Sequence, residues 1–139
     1  MAHSADAELP KVRPDLVYAV LCLVAPQVYR GTLNLVGVVN TLWESALPTT
    51  KDLYRVVGWH GGLGEFELKE RIMNADGGLV DLPPPDSMPF TRGQPKLYYG
   101  LVTIEIGTYG DYFFLGFLDD QPAFRIPFQV VPFTTGPSP

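Results

Sequence analysis

The chain is poor in the groups that most protein chemistry draws on. It has one cysteine, Cys22, so no disulfide can form within it. The expected place for this thiol is a buried, inert position in an apolar strand, and its reduced state suits a cytoplasmic location. The two histidines are His3 and His60. Neither has the Cys or His spacing of a zinc site around it, and no metal or cofactor is expected. The serines are Ser4, Ser45, Ser87 and Ser138, and none sits in a Gly-x-Ser-x-Gly elbow. His60 therefore has no nucleophile beside it to activate, and no enzymatic activity is expected. The ten basic residues are scattered singly against fifteen acidic ones, giving a net charge of −5. Nucleic-acid binding needs a concentrated basic surface that displaces counterions, so it is not expected. The longest strongly apolar run, 16–25, is too short to span a bilayer. The first residues lack the basic and apolar regions of a signal peptide. A soluble protein without membrane insertion is expected.

Glycine, proline and apolar residues are plentiful: 14 Gly, 14 Pro and 46% hydrophobic side chains in 139 residues. This length suits one domain with a real core. The glycines and prolines stand as punctuation between short apolar runs, the pattern of many strands and turns. The spacing predicts seven strands, near 16–24, 32–43, 53–60, 65–74, 96–106, 112–118 and 123–131. The first two are expected to pair as a hairpin around the turn at 25–31. No stretch has convincing helical amphipathicity. The expected fold is an all-β, antiparallel two-sheet β-sandwich of about seven strands, of immunoglobulin-like or related topology. The expected organisation is an extended arm over 1–15, a single domain over 16–131 with a Pro-rich loop at 79–95, and a tail over 132–139.

Three local features sharpen this outline. Gly110-Asp111-Tyr112 precedes an aromatic strand and reads as the corner where a Tyr pins the chain as it crosses between sheets. Glu70 falls in phase with Phe66, Leu68 and Ile72, which implies an edge position, a bulge or a buried ion pair. Pro127 cannot donate to a sheet ladder, so its strand is expected to be an edge there.

His60-Gly-Gly-Leu-Gly64 has the look of an esterase oxyanion loop, but the flanking strands favour a hairpin turn. The carboxylates Asp76, Asp81 and Asp86 in one loop region, Asp119 and Asp120 in another, and Asp111 at the corner match no calcium-loop spacing. They read as turn formers.

Three segments carry a resemblance. The first is the run from Tyr18 to Val24 followed by that from Gly31 to Trp43. The second runs from Gly64 to Gly77, an alternating strand closed by an Asp-Gly turn. The third runs from Gly110 to Asp120 and continues in Phe124-Arg-Ile-Pro-Phe-Gln-Val130. Together they resemble an uncharacterised bacterial immunoglobulin-like β-sandwich family, a domain of unknown function. The resemblance implies the fold and carries no activity with it.

The remaining lead is apolar surface. Phe113, Leu115 and Phe117 lie on the face of their strand opposite Tyr112, Phe114 and Leu118. A two-layer sandwich buries one face of each sheet, so these side chains are either covered by the chain itself or form a contact patch. Tyr99 and Leu101 on the preceding strand are expected to share that surface. A binding or assembly module is the leading expectation, acting through Tyr99, Leu101, Phe113, Leu115 and Phe117 on a second copy or a protein partner. The alternative is a small-ligand or carbohydrate-binding sandwich, with Trp43, Tyr54, Trp59 and Tyr109 as a stacking platform.

Overall fold

The computed structural model describes residues 10–83 and 85–133. His3, the rest of 1–9 and residues 134–139 lie outside them. Twelve strands follow one another: β1 (Asp15–Cys22), β2 (Gln27–Tyr29), β3 (Thr32–Asn34), β4 (Val38–Val39), β5 (Thr41–Glu44), β6 (Thr49–His60), β7 (Gly64–Met73), β8 (Leu79–Asp81), β9 (Asp86–Phe90), β10 (Pro95–Ile106), β11 (Gly110–Leu118) and β12 (Gln121–Pro132). Among the described residues there is no helix. The protein is all-β.

The strands form a four-stranded sheet in the order β10-β6-β1-β4, a six-stranded sheet in which β5-β12-β11-β7-β8 are joined by β9 on β7, and a small β2-β3 ribbon. Most pairs are antiparallel, but β5 and β12 run parallel, and one sheet curls into a half-barrel. The wholly antiparallel arrangement is thus corrected to a mixed one.

Alternation builds the core. Val102, Ile104 and Ile106 of β10 are buried between exposed Leu101, Thr103 and Glu105. Tyr112, Phe114 and Leu118 of β11 and Phe124, Ile126, Phe128 and Val130 of β12 are buried by the same period of two. These side chains meet Leu53, Val57 and Trp59 of β6 and Phe66, Leu68 and Ile72 of β7 in one cluster. Trp59 sits edge-on to Phe90, ring centroids 5.4 Å apart. Each fully buried Leu or Phe contributes about 2 kcal/mol of transfer free energy.

The expected strand over 32–43 divides among three sheets: β3 pairs with β2, β4 with β1, and β5 with β12. Gly37 supplies one break. Its φ is +70°, and a Cβ there would press on Leu23 at 3.1 Å. Asn40, alone between β4 and β5, supplies the other, its carbonyl accepting the N–H of Gln129. Buried Val39 and Leu42 stand three residues apart, in opposite phases of a period of two, so the break at Asn40 resets which face points inward. The actual tight hairpin is β2-β3, turning at Arg30-Gly31, both at positive φ.

Three further expectations change. Strands β6 and β7 belong to different sheets, so 61–63 is a crossing and not a hairpin. Gly62, at φ +85°, lets Pro14 pack where a Cβ would meet the Pro14 nitrogen at 2.9 Å. The Pro-rich 79–95 segment holds two strands, β8 and β9, both on β7. Residues 10–14 are clamped to the domain. Val12 bridges Leu63, and Arg13 donates to the carbonyls of Leu118 (3.1 Å) and Pro122 (2.8 Å).

The corner holds as expected. Between β10 and β11 the chain passes from the four-stranded to the six-stranded sheet, and Tyr112 Oη donates to the Thr108 carbonyl at 2.6 Å. Pro127 is at a local edge, because β5 pairs with β12 only over residues 129–132.

Candidate functional site

The outward face of the four-stranded sheet is apolar across its centre. Register aligns three rows: Val38, Cys22, Tyr54 and Leu101; Val20, Val56 and Tyr99; Tyr18, Gly58 and Leu97. None carries a charge. The Tyr18 ring lies on Gly58, where any Cβ would collide with it. Val56 and Cys22 are fully buried beneath their neighbours, while Tyr99 and Leu101 are 47% and 55% exposed. Polar rows close both ends. Asp15, His60 and Pro95 lie at one end; at the other, Asp52 accepts from the Thr103 hydroxyl at 2.6 Å and Thr50 pairs with Glu105. From strand spacing and rise the apolar centre spans roughly 400 Å² of sheet, with Val38, Tyr99 and Leu101 as its exposed part. Burial pushes the Cys22 thiol pKa up, which keeps it protonated and unreactive.

Phe113, Leu115 and Phe117 project from the other sheet. Tyr99 and Leu101 are on β10 and these three on β11, so the two rows face away from each other on opposite sides of the molecule. The expected shared surface is therefore two surfaces. On the β11 side the aromatics are half-buried under basic side chains. The Arg125 guanidinium lies 4.1 Å from the Phe113 ring centroid and that of Arg71 lies 5.8 Å from Phe117. Both arginines belong to neighbouring strands, Arg125 to β12 and Arg71 to β7, and Asp81 of the 79–95 segment holds Arg71 at 2.7 Å.

The aromatic platform does not assemble. Trp59 is a core residue, 2% exposed; Tyr54 belongs to the outer face of the four-stranded sheet; Trp43 is exposed on β5. Tyr109 donates to the Glu44 carbonyl at 3.1 Å.

Apart from Asp111, the carboxylates raised by the sequence are each held in a structural interaction. Asp119 accepts the Glu67 N–H at 2.8 Å and the Lys11 ammonium at 2.7 Å. These two contacts, the backbone donor first, hold its carboxyl below the usual range. Asp120 meets Lys69, Asp81 meets Arg71, and Asp76 accepts from Gly78 N. Among the described residues no three His, Cys, Asp or Glu side chains converge as metal ligands. No helix among them is long and apolar enough to cross a membrane.

Between the sheets lies an ion pair. Glu70 takes two hydrogen bonds from Arg55, one of them from Nη2 at 2.7 Å. The guanidinium lies 4.2 Å from the Tyr98 ring centroid, and Gly100 leaves it room. Burial, and then the hydrogen bond given to Asp86, push the Tyr98 phenol up to about 12.

Of this face the sequence singles out Tyr99, Leu101 and, as part of a different platform, Tyr54; Tyr18, Val20, Val56 and Leu97 it does not. The available signal was the 16–24 run, apolar on both faces, which a two-layer fold must leave partly uncovered. No protein-family model matches the chain, and no curated protein matches it.

Proposed function

We propose that the protein is a non-catalytic assembly module that docks through the outer face of its four-stranded sheet, with a second copy of the chain as the occupant. One observation carries this reading: an uncharged, aromatic-rich sheet face, rimmed at both ends by polar residues, centred on Tyr99 and Leu101. A face without charge is compatible with its own copy, as an isologous two-fold contact requires. Its groups are alkyl chains, phenols and a protonated thiol, which supports binding over catalysis. The Tyr112 corner and the crossing between sheets support an immunoglobulin-like sandwich of the resembled bacterial family. The single reduced cysteine supports a cytoplasmic location.

Light scattering and sedimentation from micromolar to millimolar concentration test the proposal. A monomer–dimer equilibrium is expected. Tyr99→Asp and Leu101→Asp, each at an exposed position, should weaken it tenfold or more while leaving the far-UV spectrum and melting transition in place. A strict monomer across that range overturns self-association. Unfolding of both variants would instead assign the two side chains to the core.

A further inference from the structure

Strand β10 pairs with β6 along its whole length and, among the described residues, has no strand on its other side. Near its start that open edge is shielded. Lys96 Nζ donates to the Pro89 carbonyl and Tyr98 Oη to Asp86, both at 2.8 Å, so β9 stands beside it. Toward residues 103–108 the sheets part and leave a cleft of about 980 Å³, at the upper end of the range for ligand sites. Its opposite wall is β8, which also pairs on one side only, with β7. The cleft is thus bounded by two unfilled strand edges. Val80 and Leu82 line it above the buried Ile72, Ile104, Ile106 and Tyr112, and so do the carboxylates of Asp76, Asp81 and Glu105; among the described residues no Lys or Arg does. Asp81 is neutralised by Arg71 at 2.7 Å. Among the described residues Asp76 and Glu105 have no cationic partner within ion-pair distance.

We propose that this cleft takes an extended segment of a partner protein, added as a strand along the free edge of β10, in which apolar side chains alternate with Lys or Arg. Every second N–H and C=O of an edge strand points outward and seeks a main-chain partner. An added strand has two side-chain faces with period two. One can lie on Val80 and Leu82, and the other presents its cations to Asp76 and Glu105. The four strand residues 103–106 offer about 13 Å of edge at the rise of a strand. A second copy of this chain is a poor occupant, because its own β10 would bring Glu105 against the same carboxylates. The cleft meets the proposed self-association face only at its polar rim, which includes Glu105, and Tyr99 and Leu101 do not line it, so either reading can fail alone.

The probe is a capped heptapeptide alternating Lys and Val, titrated into the full chain. Fluorescence anisotropy reads affinity, and amide chemical shifts read position. Binding is expected to move the amides of 103–108 and 79–82. Replacing the lysines by glutamates, or N-methylating alternate peptide amides, should each weaken it at least tenfold. Glu105→Lys should do the same, with Asp76→Asn plus Glu105→Gln as the milder pair. No binding at millimolar peptide overturns the proposal. So do equal affinity of the N-methylated peptide and shifts confined to the Tyr99–Leu101 face.

Discussion

Arg55 and Glu70 come from opposite sheets and meet in the sandwich interior, with side chains 5% and 11% exposed. Two charges out of water stay favourable only while they hold each other. Glu70→Ala should therefore cost about 3–5 kcal/mol, read as a lower urea midpoint. Joint replacement of Arg55 and Glu70 by leucine should recover most of that loss. Near-equal stability of the single and double variants would show that the pair does not act as a unit. Half of this was legible in the sequence. Glu70 stands in phase with Phe66, Leu68 and Ile72, and a buried pair was among its readings. Its partner was not: Arg55 shares the phase of Leu53, Val57 and Trp59, but a lone cation in a short strand passes for a solvent-facing one.

At the level of elements, the β11-β12 turn is a junction. Asp119 joins it to β7 through Glu67 and to the 10–14 strap through Lys11. The carboxyl's pKa lies below its ordinary value of 3.8 when folded. Its contribution is then present above about pH 4 and lost as pH falls through the folded value. Asp119→Asn should lower the urea midpoint at pH 7, and the gap from the parent chain should close toward pH 2. A gap independent of pH would assign the effect to something other than the charge. The strap could not be foreseen, because residues 10–14 are polar and proline-bearing like any loose arm. What holds them is carbonyl geometry at Leu118 and Pro122, distant in sequence. The long strands β6, β7, β10, β11 and β12 were legible because each buries one face. The pieces β3, β4 and β5 were not, because a backbone break at Gly37 leaves hydrophobic spacing intact.

Across the whole molecule, a net charge of −5 repels a second copy, while the proposed contact face holds no charge. Salt shortens the Debye length from about 30 Å at 0.01 M to about 10 Å at 0.1 M. Self-association should therefore strengthen as salt rises over that span, measured as a falling dimer dissociation constant. A contact built on ion pairs would weaken instead. That Tyr99 and Phe113 face opposite sides was only half legible. The Tyr112 corner announces a crossing between sheets, and the crossing itself separates their outward faces; strand periodicity gives a face within a strand but not which sheet owns it.

The passage from β3 through β5 binds the molecule in a way that no single sheet does. Within thirteen residues, Thr32–Glu44, the chain joins the ribbon, then the four-stranded sheet, then the six-stranded sheet. It works as a seam. If one layer peels away, the seam must pull β4 from β1 or β5 from β12. Opening is thereby shared between the layers, and neither sheet is free to unravel as a separate cooperative unit.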